Sequence, residues 1–532
     1  MISETARSGG GHARADVRSL AKGGLLNLVA SGGGQLFAFL MTVVVTRGLG
    51  ARGAGAFFEV VGLFTILSNS VRLGADTGLV RGVSARQALG ATHELRRLVL
   101  VALGPVLLAG ILVAAATWAL GPLLARVFLH GVALDEGTGA IRLLAIFLPL
   151  VAVTIVALSG TRGFGTMLPY AAIENFGKPL ARLVLVALVL AIGLGSVAAL
   201  VAWAVPIAAG FVAALWTLLR LVRHAEARPE RPSQAVPAAG TRQLAAQFWR
   251  FAAPRGLAGI FQVTVLWLDV LLVGALRSTS EAGVYAAASK LAMVGTMATE
   301  AVRIAIAPQI SGLLARGEQA RAEGLYQVAT WWIMTLCWPL YLGLVVFGPV
   351  VLRIFGAEFV AGGTALLILS LAMLVDLSTG NVTVMLLMGG KSSWNLLNAL
   401  GALVLNVGLN LLLVPRVGIA GAALAWAASI VFENLAAIIE LRILLRLNPF
   451  GRGWWLAAGQ SALCFAGIGL LLSALLGRSV VSLVATAAIA APLYLWLVWR
   501  SRAVLQLDAL REAIRARRGA APGDDQQEAT QA

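Results

Sequence analysis

GLLNLVASGGGQLFAFLMTVVVTRGLGARGAGAFFEVVGLF, running from Gly24 to Phe64, holds two apolar runs on either side of a short basic turn. No charged residue falls between Lys22 and Arg47, and Glu59 is the one charge between Arg52 and Arg72. A bilayer core takes about 20 apolar residues per helix, and the first run meets that length. The stretch predicts two membrane-crossing helices joined by a turn at Arg47 to Arg52, and the pattern recurs down the chain.

Composition agrees. Of 532 residues, 59% are hydrophobic and 12% charged, whereas a soluble domain carries about 25% charge. Apolar blocks predict spans near 24–46, 55–75, 98–120, 140–160, 173–194 and 197–219. A second series follows near 254–276, 284–308, 329–352, 361–388, 394–414 and 418–444, then a pair at 455–476 and 479–499. The expectation is an all-α membrane protein of about 14 transmembrane helices. It divides into a polar tail (1–22), an N-lobe (23–219), a linker (220–250), a C-lobe (251–446), a C-terminal helix pair (447–500) and a second tail (501–532). Proline and charge in RPERPSQAVPAAGTR mark the linker as an exposed loop.

The net charge of +17 would suggest nucleic acid in a soluble chain. Here the basic residues sit between apolar blocks, where they orient helices, so no nucleic-acid partner is expected. Cys337 and Cys464 both fall inside apolar blocks, which argues against a disulfide. His12, His93, His130 and His224 all lie outside the spans, which argues against haem, a histidine-bound intramembrane metal or a histidine relay. No small-residue cleavage site follows the basic first 22 residues, so the first apolar block reads as a retained helix.

Placing the N-terminus in the cytoplasm and alternating sides puts roughly 30 basic residues inside against 8 outside. A missed span would invert everything downstream and destroy that asymmetry, so both termini are expected inside. The two six-helix series also resemble each other. Ala54-Gly55-Ala56-Phe57 opens the second helix of the first series and Ala282-Gly283-Val284-Tyr285 the second helix of the other. Leu200-Val201-Ala202-Trp203 and Ala423-Leu424-Ala425-Trp426 match near the far ends. Matching positions in matching places imply parallel repeats about an axis along the membrane normal.

The Arg47 to Phe57 turn resembles the polysaccharide-export, Wzx-like oligosaccharide flippase branch of the multidrug/oligosaccharidyl-lipid/polysaccharide (MOP) superfamily. VRLGADTGLVRGVSA (71–85), GVYAAASKLA (283–292) and GIAGAALAWAASIVFEN (418–434) are similar to that branch's stretches. The resemblance implies two six-helix lobes related by pseudo-twofold symmetry plus a helix pair, in a bacterial inner membrane. It implies a flippase moving a polyprenyl-pyrophosphate-linked oligosaccharide from the inner to the outer leaflet by alternating access. The expected partners are that lipid-linked oligosaccharide, membrane lipids and other polysaccharide-assembly proteins. Lipid II flippases of the superfamily carry several arginines in the first lobe's cavity, and the uncharged first helix here departs from them. The MATE multidrug exporters lack this Arg-x-Leu-Gly turn.

A charge at mid-bilayer costs about 2.5–3.5 kcal/mol on insertion scales, so such residues face a partner or a wet cavity. The candidates in the first half are Glu59, Arg72 and Asp76, with the last two four apart and able to pair across a helical turn. In the second half, Arg255 opens the seventh helix after Pro254, and Asp269 lies mid-helix beside Trp267. Lys290, Glu300 and Arg303 lie on the eighth helix and Asp376 on the tenth. Asp269 and Lys290 either neutralise each other or belong to a basic chamber. In that chamber Arg255, Lys290 and Arg303 would meet a pyrophosphate, and the carboxylates would tune its release. Asn395, Asn398 and Asn406 share a face of the eleventh helix, with Asn410 nearby. They bond either sugar hydroxyls or neighbouring helices. Gly32-Gly33-Gly34 reads as a hinge or a close-packing face.

No Walker loop, nucleophile elbow or metalloprotease helix occurs, and the longest external loop, near 121–139, is short for a membrane polymerase. The expected protein is not an enzyme and has no cofactor. A coupling ion, H+ or Na+, would act at Asp269 or Asp376. The alternatives are a cation-coupled multidrug exporter, which should line its cavity with acids and aromatics, and a lipid II flippase.

Overall fold

The computed structural model describes residues 5–227, 240–389 and 392–506; most of the proline-rich linker, Lys391 and the tail from 507 lie outside the described residues. Every described element is helical. The first half holds α1 (Thr5–Ser70), α2 (Ala75–Ala88), α3 (Leu95–Ala119), α4 (Gly121–Phe128), α5 (Leu134–Ala145), α6 (Leu148–Gly163), α7 (Leu168–Tyr170), α8 (Lys178–Ala191) and α9 (Ser196–Glu226). The second half holds α10 (Thr241–Leu276), α11 (Thr279–Ala292), α12 (Thr296–Ala315), α13 (Gln319–Leu352), α14 (Gly363–Ser378), α15 (Val382–Met388), α16 (Ser392–Val417) and α17 (Ile419–Glu440). The chain closes with α18 (Arg452–Ser461), α19 (Ile468–Leu476) and α20 (Val480–Arg500). Eleven runs of described helix are long and apolar enough to cross a membrane. The sequence count of about 14 separates the two arms of α1 and adds the broken runs from Leu168 to Ala191 and from Thr279 to Ala315.

The chain forms two compact units. One takes in residues up to Leu291 with Leu352–Ala365 and Ala399–Trp426; the other takes in Ala292–Val351, Leu366–Asn398 and the chain from Ala427 onward.

In the first unit, α6 is buried on nearly every side and is the core about which α2, α3 and α9 pack. α3 buries Leu98, Ala102 and Val106 against it and turns Leu100, Leu107, Leu108 and Leu112 outward. That stripe pattern is an amphipathic helix read against lipid rather than water. α1 bends at Gly50, whose φ of 66° is a left-handed backbone that a side chain would strain. Glu358 caps the second arm by accepting the Ala51 N–H at 3.1 Å, and Arg47 donates to the Ile354 carbonyl at 2.7 Å. The triple glycine is a packing face. Gly33 lies on the Phe176 ring, and Gly34 lies on the Asn175 carbonyl, the acceptor that Pro179 leaves without its usual helical N–H.

Three sequence expectations need correction. α10 starts at Thr241, so Pro254 and Arg255 lie inside the helix rather than at its start. The extension forms because Leu244, Phe248 and Ala252, spaced by four, continue an apolar face into the first unit's core. Arg72 and Asp76 do not share a helix. α1 ends at Ser70, and Leu73 and Gly74 take left-handed backbone before α2 begins. The eighth span is not continuous but breaks between α11 and α12. In the second unit Tyr341 satisfies that break: its hydroxyl donates to the Ala292 carbonyl at 2.6 Å and accepts the Gly295 N–H at 3.1 Å. A buried break with no such partner would leave orphan backbone groups where water cannot reach.

The second arm of α1 meets α11 backbone to backbone. A methyl on Gly55 would overlap the Thr279 carbonyl, and one on Gly283 would overlap the Ala51 carbonyl. Gly283→Ala should therefore lower stability by about 1–3 kcal/mol, as overpacking does. Gly104→Ala, where nothing lies within 4 Å, should be neutral or slightly stabilising. Thermal unfolding of the detergent-solubilised variants measures both.

Candidate functional site

The strongest concentration of charge within the first unit surrounds a widened turn of helix. Residues Ala171–Gly177 form a π-helical turn between α7 and α8, a device common at functional sites. Glu174, Lys178 and Arg182 follow at intervals of four and so fall on one face. Glu174 pairs with the Lys178 ammonium. Arg182 donates from Nε to the Trp203 carbonyl at 3.0 Å and lays its guanidinium 3.6 Å from the Trp203 ring centroid. Arg72 reaches Asp76 at 3.9 Å, as its spacing suggested. Arg72 Nε and Glu174 Oε2 are both buried with no hydrogen-bond partner. Such a group signals an interaction still to be made.

Glu174, Lys178 and Arg182 fall inside the span expected near 173–194 but were not among the candidate site residues. The i, i+4, i+8 spacing of one acid and two bases was the available signal.

Asp269 occupies a different setting in the same unit. Tyr285 donates to its Oδ2 at 3.0 Å and Asn410 to its Oδ1 at 2.8 Å. Asn410 also donates to the Asn406 carbonyl at 2.9 Å, and all four residues are buried. The expected Asp269–Lys290 pair is absent. The Lys290 ammonium instead lies 4.2 Å from the Trp267 ring centroid. Residues two apart on a helix project to nearly opposite sides, so Trp267 and Asp269 draw Lys290 and Tyr285 to different faces of α10. Arg255 is exposed, with its guanidinium 4.6 Å from the centre of the Phe251 ring, which Arg81 also approaches, at 4.1 Å. Arg81 is a second basic group that the sequence reading left in a loop. Glu59 is buried and accepts no hydrogen bond.

Within the second unit, Asn434 donates to Asp376 at 3.0 Å and accepts the Thr379 hydroxyl. Asn398 donates to Glu440 at 2.7 Å. Asn398 and Asn410, on one helix, thus donate to different carboxylates. The amides fasten helices, and Asn434 and Glu440 are partners the sequence reading did not single out. The side chains of Glu300 and Arg303 lie outside the described residues.

Residues 20–314 match the family model described as polysaccharide biosynthesis protein. A Haloferax volcanii protein described as a probable low-salt glycan biosynthesis flippase, Agl15, is 27% identical over 213 residues, covering 38% of this chain and 43% of that protein. The match thus spans less than half of the curated relative's length. Among solved structures, the lipid II flippase MurJ in an inward closed conformation superposes with a TM-score of 0.68 at 11% identity, covering 90% of this chain and 100% of that one. An inward-facing multidrug resistance MATE transporter of the MOP superfamily gives 0.63 at 14% identity, covering 80% and 98%. The fold is that of MOP superfamily membrane transporters.

Removing the Glu174 carboxylate leaves Lys178 and Arg182 buried without their counter-charge. Glu174→Ala should cost about 3–5 kcal/mol, the scale of a broken buried pair. Lys178→Met with Glu174→Gln, which removes both charges, should recover most of it. Unfolding midpoints of the three proteins in detergent test this.

Proposed function

We propose that this chain, which belongs to the polysaccharide biosynthesis protein family, moves a polyprenyl-pyrophosphate-linked oligosaccharide from the inner to the outer leaflet by alternating access. The observation that carries the reading is the surplus of cations around the π-helical turn. Arg72, Lys178 and Arg182 face Glu174 and Asp76, and Arg72 keeps a buried, unused Nε donor. A diphosphate would balance the surplus positive charge of the cluster. Guanidinium groups bind two phosphate oxygens at once, while lysine acts as a movable point charge.

Glu174 gives the cluster a second state. With no substrate it holds Lys178; with a diphosphate present the ammonium can turn to phosphate, and on departure it returns to the carboxylate. That exchange keeps the cations satisfied in both conditions, so the substrate is neither refused nor trapped. Arg255 and Arg81, both exposed and both against Phe251, would meet the headgroup first from the cytoplasmic end. Asp269 or Asp376 would take the coupling ion, H+ or Na+. The basic-residue count supports both termini on the cytoplasmic side. The 27% identity to a glycan biosynthesis flippase supports the substrate class.

The test is translocation of a fluorescent undecaprenyl-pyrophosphate-linked oligosaccharide in proteoliposomes. Wild type should move it. Arg72→Gln and Lys178→Met should each slow it about tenfold or more, the loss of one charge-assisted contact, and Arg255→Ala should weaken uptake at low substrate. Wild type that moves no lipid-linked sugar but expels cationic dyes under an ion gradient would replace this reading with a multidrug exporter. Movement of lipid II alone would make it a lipid II flippase.

A further inference from the structure

Glu59 lies on the second arm of α1, about two turns beyond the bend at Gly50, and is 1% exposed. Both carboxyl oxygens lack a hydrogen-bond partner, and no described cation pairs with it. Its carboxyl packs directly on Gly274 of α10; a methyl at that position would take the carboxyl's own place and stand 2.9 Å from the Phe128 carbonyl. The fully buried Thr279 hydroxyl faces the carboxyl.

A small roof closes the pocket. The Thr279 N–H donates to the His130 carbonyl at 3.3 Å, and the His130 ring meets the Gly274 carbonyl through Nδ1 at 3.0 Å. These bonds tie the loop after α4 to the joint between α10 and α11.

The charged groups on the surrounding elements are all engaged or turned to water. On α1, Arg52 is exposed and the Ala51 N–H is capped by Glu358. On α10, Asp269 is held by Tyr285 and Asn410, and Arg277 pairs with Glu281 of α11. Lys290 of α11 lies on Trp267, and His130 is exposed. None compensates a negative charge on Glu59.

We propose that Glu59 is a proton-binding site of this transporter, holding one proton while the second arm of α1 lies against Gly274 and Thr279. An ionised carboxylate with no partner in such a pocket costs far more than the neutral acid. A neutral carboxyl can donate its O–H to the Thr279 oxygen, whose acceptor sites are open. When the contact with α10 opens and water enters, the O–H bond breaks, the proton passes to water and the carboxylate is hydrated. Closing again requires a proton taken from that side of the membrane. The proton is thereby a ligand of the closed arrangement, and acidity shifts the population toward it. A metal cation fits less well, because the Gly274 backbone already fills the space beside the carboxyl. The role in transport rests on the flippase reading; the proton site does not.

Spin labels at the exposed Arg52 and Arg277, placed as cysteines in the full chain with Cys337 and Cys464 changed to serine, report the opening. Neither labelled position touches the proposed glycan site. In proteoliposomes the short distance should dominate at pH 5 and give way to a longer one by pH 9. Glu59→Gln, a neutral mimic of the acid, should keep the short distance throughout. A Glu59→Gln protein that opens with pH as wild type does would overturn the proposal, and so would opening that tracks sodium at constant pH. The readout needs no glycan. Wild type that responds to pH but moves no lipid-linked sugar removes the flippase reading and leaves the proton site. Transport by wild type with a pH response unchanged in Glu59→Gln removes the proton site alone.

Discussion

Water is missing where most of this chain lies, so every backbone amide, carbonyl and charge must find its partner inside the protein. Helices meet the demand for the backbone, and their breaks are where the constraint becomes visible. The α11–α12 break survives because the Tyr341 hydroxyl serves both freed groups. The bend at Gly50 survives because Glu358 accepts the Ala51 N–H. Pro179 removes one donor from the helix, and Gly34 brings a neighbouring backbone onto the acceptor left behind. Each irregularity has an identifiable residue answering it.

The same constraint sorts the charges. Asp269, Asp376 and Glu440 are met by amides and a phenol, which hold a carboxylate without cancelling its charge. Glu174 is met by an ammonium. Lys290 and Arg182 lie on indole rings, whose negative faces attract a cation without a proton transfer or an ion pair. The cations therefore retain bonding capacity that a salt bridge would have consumed. For the diphosphate headgroup proposed above that distinction matters, because a fully paired arginine has little left for phosphate.

Helix existence was legible from the sequence because hydrocarbon imposes a length and forbids charge, and both are visible in one dimension. The resemblance of Ala54-Gly55-Ala56-Phe57 to Ala282-Gly283-Val284-Tyr285 was also legible, and the two motifs touch, Gly55 against Gly283. Partners were not legible. Asp269 and Lys290 share a depth, yet helical phase sends them to different faces. Asn398 and Asn410 lie on one helix, yet they donate to different carboxylates. The Glu174, Lys178 and Arg182 face lies where the backbone widens by one residue and continues, a change of winding that the spacing alone does not announce. Depth, phase and local winding must all be known before two charges can be matched, and sequence supplies only a rough value of each.

Glycine links these observations. Gly55, Gly274 and Gly283 lie where the second arm of α1 meets α10 and α11, and each admits a backbone or a carboxyl at a distance no side chain would permit. Contacts of that kind gain dispersion energy and backbone-to-backbone approach without interlocked side chains. An interface that must part and re-form has reason to be built this way, since separating it strands no large side chain in the wrong medium. What it exposes on parting is the small set of polar groups it had enclosed, Glu59 and Thr279, and their hydration is favourable. The energy of opening is then set less by lost packing than by the ionisation state of one carboxyl, which places control of the interface in the aqueous phase beside it.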